Sequence, residues 1–319
     1  MRRLALDGHE VTGLDRRPTP EVPGAHVLQA DLLDVGNTRR VLRELSPDVV
    51  FHLAARTDLD ETKDLSGYRD NIDAVQSLVD ALGATPSVQR WICTSSQLVC
   101  RVGYVPRDDA DYAPSTLYGE SKVCTERIVR SSDGVRVPWT IVRPTTIWGP
   151  GMNPHYLRFF RLIRDGRYFH VGRGPTRKSY VYVGNTVAQY GALLAAPLDA
   201  VRGRTFFLAD YEPLALESWA EGFRRALGAP PIRTIPRPLA LLMARLGDLI
   251  ASVRPGFPFT TFRLTNVLTE YQAELGPTRK VCGDLPYTVD QGILATVAWL
   301  RTLWEPPSPD ASVSGQVPA

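Results

Sequence analysis

Strand-length apolar runs alternate with longer amphipathic stretches through the first half of the chain. Glu10 to Leu14 predicts a short strand closing on Asp15, and Val27 to Ala30 a second. A helix is expected near Val35 to Leu45. Asp48 to Leu53 (DVVFHL) reads as a buried strand, with Pro47 before it and Ala54-Ala55 after it. Between Tyr68 and Leu82, the residues Ile72, Val75, Leu78, Val79 and Leu82 share one helical face, and Gly83 suits the C-cap. Arg90 to Thr94 predicts the next strand and leads into Ser95-Ser96. A helix over Thr116 to Arg130 and a strand over Val137 to Val142 follow. Strand and helix in regular alternation specify an α/β fold, a doubly wound parallel sheet with helices on both faces.

After Pro144 the rhythm changes. Proline and glycine become denser, and helices are expected over Tyr156 to Arg164, Thr186 to Ala195, Leu216 to Leu227, Leu239 to Ala251 and Val289 to Leu303. Arg204 to Leu208 is a strand in this half. The pattern implies a parallel-sheet domain over 1–145, which the resemblance given below makes the NAD-binding one, a smaller, mainly helical lobe over 146–304, which it makes the substrate lobe, and a Pro/Ser-rich disordered tail over 305–319. Pro238 to Val253 is apolar at helical spacing and interrupted by Arg245 and Asp248, so it reads as an amphipathic helix packed on the body.

Composition narrows the function classes. In 319 residues, 44% are hydrophobic and the net charge is +3, too weak a bias for a nucleic-acid binder. Four cysteines (Cys93, Cys100, Cys124, Cys282) form no CxxC pair and have no histidine cluster beside them, which argues for reduced thiols in the cytoplasm and against a metal site. No apolar run reaches membrane-span length.

Tyr118 and Lys122 lie four residues apart on the expected helix, hence on one face. A lysine charge there stabilises a tyrosinate, which can exchange a proton near neutral pH. Ser96 follows a strand at the sheet edge where open α/β folds place ligands, and suits a donor to a substrate oxygen. Asp15 ends a strand and suits the adenosine ribose hydroxyls; beside it, Arg16-Arg17 would suit a 2′-phosphate that Asp15 repels, so NAD is favoured over NADP. Asp31 can meet the adenine amino group, and Ala54-Ala55 allow close approach of a cofactor. His52 reads as a core histidine.

These residues occur in one order, each at the matching strand or helix end, together with Asn71, Arg143-Pro144 and the segments YGESKVCTERIV and IVRPTTIWGPG. In this the chain resembles the extended short-chain dehydrogenase/reductase superfamily, and within it the NAD-dependent epimerase/dehydratase family acting on nucleotide sugars. The resemblance runs from Leu4 to about Leu303. It implies a Rossmann-type sheet, a homodimer, and a catalytic set of Ser96, Tyr118 and Lys122. It also implies NAD contacts from Asp15, Asp31, Leu32, Leu53, Ala54, Ala55, Asn71, Tyr118, Lys122 and Arg143, and substrate contacts from Ser96, Gln97, Thr146 and Lys178. The expected reaction is proton and hydride transfer at a sugar hydroxyl, as in an epimerase or reductase. A 3β-hydroxysteroid dehydrogenase-like oxidoreductase is the alternative, supported by LPYTVDQGI (Leu285 to Ile293) and the apolar stretch from Leu239 to Val253.

Departures from the family pattern are specific. Gln97-Leu98 stand where dehydratases carry Asp-Glu, which disfavours dehydration. Lys178 stands where a phosphate-binding arginine is usual. The ribose-binding acid lies roughly 20 residues beyond the glycine-rich loop in such folds, and that distance from Asp15 passes Met1. The first strand and its glycine loop are therefore missing from the sequence as given. The expectation is a protein that extends upstream, or else a non-catalytic relative, with the neighbours of the missing strand left as open ladder edges.

Overall fold

The computed structural model describes residues 1–304 apart from 60, 62, 133–136, 173, 254–256 and 258. The expected tail lies outside the described residues. In chain order the first elements are α1 (Arg2–Leu6), β1 (Thr12–Asp15), β2 (His26–Gln29), α2 (Val35–Leu45) and β3 (Val49–His52). Next come α3 (Arg69–Gly83), β4 (Arg90–Thr94), α4 (Leu117–Ser131), β5 (Trp139–Pro144) and β6 (Thr146–Trp148). The chain continues through α5 (Pro154–Arg164), β7 (Phe169–Val171), β8 (Arg177–Lys178), β9 (Tyr180–Tyr182), α6 (Val183–Ala195) and α7 (Leu198–Val201). It then forms β10 (Arg204–Leu208), β11 (Leu214–Ala215), α8 (Leu216–Leu227), β12 (Arg233–Ile235) and α9 (Arg237–Val253). The last described helices are α10 (Thr261–Leu268), α11 (Gly276–Cys282) and α12 (Val289–Trp304).

Two compact units emerge. The first holds Met1–Thr146, Thr186–Tyr211 and Tyr271–Leu285; the second holds Ile147–Asn185, Glu212–Glu270 and the chain from Pro286 on. The chain leaves unit one after Thr146 and returns to it twice. Arg204–Leu208, expected in the lobe, is β10 and pairs in parallel with β5 in unit one. Its apolar residues Phe206, Phe207 and Leu208 suit a buried sheet position, and sequence adjacency to the lobe misplaced it.

Unit one carries a four-stranded parallel sheet in the order β10-β5-β4-β3. Side chains alternate across it. On one face Trp91, Cys93, Trp139 and Ile141 pack with Leu42, Val75, Leu78, Leu82 and Val129 from α2, α3 and α4. On the other, Ile92, Val142, Phe206 and Leu208 pack with Leu193 of α6. Full burial of each such side chain contributes roughly 1.5–3 kcal/mol. Strands β1 and β2 pair with each other in a separate two-stranded parallel sheet. No described strand pairs with β1 on its other side, or with the outer edge of β3.

Unit two packs an aromatic cluster. Trp148, Phe160, Tyr182, Trp219 and Phe223 are buried together, with Trp148 and Trp219 edge-on at 5.5 Å. Gly292 of α12 admits this cluster: a Cβ there would meet Trp148 at 2.6 Å and Tyr182 at 2.8 Å. Its strands, two or three residues long, were too short to show alternation in the sequence.

Candidate active site

Helix α4 starts at Thr116, whose hydroxyl accepts the Gly119 amide at 3.0 Å. Gly119 is required there: a Cβ would stand 2.1 Å from the Leu98 carbonyl oxygen. The first turn of α4 is therefore pressed against the tight turn Gln97–Val99, whose N-cap is Ser96. This contact sets the turn that follows Ser96 against the first turn of α4, which carries Tyr118. The Ser96 hydroxyl oxygen accepts the Leu98 amide at 3.1 Å, which leaves its own proton to donate.

Lys122 lies one turn after Tyr118 and is 4% exposed. Its ammonium donates to the Thr94 carbonyl at 3.0 Å and sits 5.9 Å from the centre of the Tyr118 ring. Burial lowers its pKa, while Cys93 and Glu126 act the other way. Thr94 is itself fixed, since its hydroxyl shares a 2.7 Å hydrogen bond with Tyr190. Tyr118 packs edge-on against Tyr68 at 5.9 Å, and the Arg56 guanidinium covers the Tyr68 ring at 4.8 Å. Gly119, Thr94, Tyr190 and Tyr68 escaped sequence reasoning; of these only the glycine inside a helix signalled a close approach.

At the end of β3, Leu53 and Ala54 are exposed and Ala55 is half-buried. Asn71 (3% exposed) shapes this loop by accepting the Arg56 amide at 2.7 Å and donating to the Arg56 carbonyl at 2.9 Å. His52 is buried, with Nε2 lacking a hydrogen-bond partner. Burial, then the Lys122 charge, lowers its pKa to about 3.

Asp15 closes β1 with an exposed carboxylate that accepts the Arg17 amide at 2.8 Å. The Arg16 guanidinium pairs with Asp70 at 2.9 Å. Asp31 follows β2 and accepts the Leu33 amide at 3.0 Å; Leu32 beside it is half-buried. An open carboxylate at a strand end suits ribose hydroxyls, and the exposed Leu53-Ala54 edge suits a flat ring system. Asp15, Asp31, Ala54 and Lys122 thus fit the adenosine and nicotinamide ends of a dinucleotide. Ahead of β1 the described residues form only the five-residue α1, and no helix N-terminus there is lined by glycines to bind the diphosphate.

Two expected contacts are corrected. Arg143 was expected at the cofactor. It is 0% exposed and donates to Glu126 at 2.8 and 2.7 Å and to the Asp109 carbonyl at 2.6 Å. A buried guanidinium needs a carboxylate partner, and Glu126, one turn along α4 after Lys122, provides it. Lys178 was expected at a phosphate. In unit two it is 6% exposed and its ammonium donates to the Asn266 and Thr269 carbonyls at 2.5 and 2.6 Å, satisfying the end of α10. Burial lowers its pKa to about 8. Thr146 is half-buried at the start of β6; Gln97 is half-buried with Oε1 lacking a partner. Among the described residues no cluster of ligands could hold a metal ion.

Comparisons with known proteins place the chain among relatives of two kinds. A 3β-hydroxysteroid dehydrogenase/Δ5→4-isomerase of Mycobacterium tuberculosis is 31% identical over 241 residues, covering 69% of this chain and 64% of that protein. A 2-alkyl-3-oxoalkanoate reductase of Stenotrophomonas maltophilia is 27% identical over 311 residues, covering 92% of each chain. The crystal structure of a UDP-glucuronic acid 4-epimerase from Bacillus cereus, with UDP-glucuronic acid and NAD, superposes with a TM-score of 0.72 at 16% identity, over 95% of this chain and 96% of that one. The model of the NAD dependent epimerase/dehydratase family matches residues 1–209. With its parallel sheet, its strand-end acids and this match over most of its length, the chain belongs to the NAD-dependent epimerase/dehydratase family of enzymes.

Proposed function

We propose that the protein is an NAD-dependent oxidoreductase of a secondary alcohol or ketone on an apolar, non-nucleotide substrate of the 3β-hydroxysteroid type. The observation that carries this reading is the state of Lys178. The cation standing where the family binds a nucleotide diphosphate is spent on two backbone carbonyls of its own unit. The names of the mycobacterial and Stenotrophomonas relatives, a hydroxysteroid and an oxoalkanoate enzyme, support it. Four free thiols support a reducing, cytoplasmic setting.

In this mechanism the Tyr118 hydroxyl exchanges the proton of the substrate alcohol. Lys122, fixed by Thr94, places positive charge beside it and favours the tyrosinate. Ser96 donates to the substrate oxygen and stabilises the charge that develops there. Gln97, with its unpartnered Oε1, accepts from a polar substrate group. NAD, when bound, supplies the hydride acceptor.

The test is NADH formation by the full chain with NAD and a panel of 3β-hydroxysteroids, beside UDP-, GDP- and dTDP-sugars assayed for C4 epimers. Stoichiometric NADH from a sterol alcohol is expected. Epimerisation of a nucleotide sugar without net NADH overturns the reading in favour of the sugar enzyme. Absence of both, with no NAD-induced rise in Tm, overturns it in favour of a non-catalytic relative.

A further inference from the structure

Helix α9 was expected to pack its apolar face on the body, and it does the reverse. The residues it buries are small: Ala240, Ala244 and Gly247. They meet the segment leading into α10, where a Cβ on Gly247 would stand within van der Waals overlap of the Phe259 carbonyl. Asp248 fixes the same junction by accepting the Thr261 amide at 3.0 Å and its hydroxyl at 2.7 Å. The large apolar residues point the other way. Leu239, Leu242, Leu246, Leu249, Ile250 and Val253 recur at helical spacing on one stripe and are 46%, 57%, 55%, 68%, 42% and 84% exposed. Phe262 of α10 adds to the exposed surface at 58%. A contiguous apolar face of this kind is rare on a free protein surface and marks a contact with something else.

Charge says what that is. From Arg233 to Thr269, the stretch that holds α9 and α10, the sequence has five arginines and no lysine against one acid, Asp248, a net of +4, whereas the whole chain carries +3. The single acid is already bonded to Thr261. Arg233, Arg237, Arg245 and Arg263 in this segment are exposed. Two copies meeting through this face would bring like charges together, whereas an anionic lipid surface complements both the leucines and the arginines.

We infer that α9, with the start of α10, is an interfacial helix that seats the protein on an anionic membrane surface. No helix among the described residues is long and apolar enough to cross a membrane, and the proposed mode needs none: the helix lies in the headgroup plane. The inference does not depend on the substrate assigned above, because lipid binding is read without turnover.

Flotation of the full chain with vesicles tests it. Vesicles of phosphatidylcholine containing roughly a quarter phosphatidylglycerol are expected to carry the protein, pure phosphatidylcholine to carry about tenfold less, and roughly 0.5 M salt to release most of it. Leu246→Asp/Leu249→Asp is expected to lower the bound fraction at least about tenfold while Tm stays within a few degrees, since both side chains are exposed. Arg245→Glu/Arg263→Glu, which leaves the apolar stripe intact, is expected to remove the preference for the anionic lipid. Failure of the wild type to float, or unchanged flotation of the leucine variant, overturns the inference. So does a concentration-dependent dimer that the leucine variant dissociates in the absence of any flotation, which would make the face a contact between copies.

Discussion

Helix α4 presses Gly119 against the Leu98 carbonyl, and α9 presses Gly247 against the Phe259 backbone. Both use a glycine to bring a helix and a loop closer than any side chain permits. What surrounds the glycine differs. Helix α4 buries Tyr118, Ser121, Lys122, Val123, Thr125, Glu126 and Val129 around it, so the close approach fixes charged and hydroxyl groups inside a packed unit. Helix α9 buries only two alanines besides its glycine and leaves its leucines in solvent. Close packing therefore serves positioning of chemistry in one case, and in the other a thin attachment that frees an apolar face.

The largest effect expected from this contrast is on turnover. Tyr118→Phe is expected to lower kcat by roughly 10²–10⁴-fold, the span of a lost acid–base group, with the NAD-induced Tm shift retained. Near-wild-type turnover in a steady-state assay removes Tyr118 from the mechanism.

Next is stability inside α4. Glu126→Gln leaves the buried Arg143 guanidinium without its charge partner and is expected to cost about 3–5 kcal/mol in urea unfolding. Exchanging an exposed α9 leucine is expected to cost within about 0.5 kcal/mol. Equal costs at the two places would erase the distinction between them.

His52 sharpens the same point through pH. It is held neutral, by burial first and by Lys122 second, with its pKa lowered from 6.5 to about 3. Below pH 6.5 the unfolded chain takes up this proton and the folded one does not, so stability falls as pH falls toward 3. The slope is up to about 1.4 kcal/mol per pH unit. His52→Leu is expected to flatten the urea-midpoint curve over that window; parallel curves for wild type and variant would show that His52 is not the group responsible.

The smallest effects come from the glycines themselves. Gly119→Ala and Gly247→Ala are each expected to cost about 1–3 kcal/mol by overpacking. Only the first is expected to reduce turnover in excess of its stability loss, because it moves Ser96 and Tyr118 apart. Comparable losses of kcat in both variants would undo the comparison.

The strands and helices of the first unit were legible because buried parallel strands are continuous apolar runs and their helices are amphipathic. The acids at strand ends and the Tyr118–Lys122 spacing were legible for a similar reason: strand ends and one-turn spacings are local properties of the chain. Tertiary structure decided everything that depends on partners distant in sequence. Arg143 stands in a motif that suggested a cofactor contact, and only packing showed Glu126 beside it. Lys178 reads as a free cation in the sequence, and only the fold brings the carbonyls of Asn266 and Thr269 to it across some ninety residues. Strand β10 joined the first sheet because its Phe206, Phe207 and Leu208 find a matching edge on β5, whichever lobe its neighbours build. For α9 the sequence specified two apolar faces, one small and one large. The choice of which to bury went to the small one, because only alanine and glycine let the backbone preceding α10 come into contact.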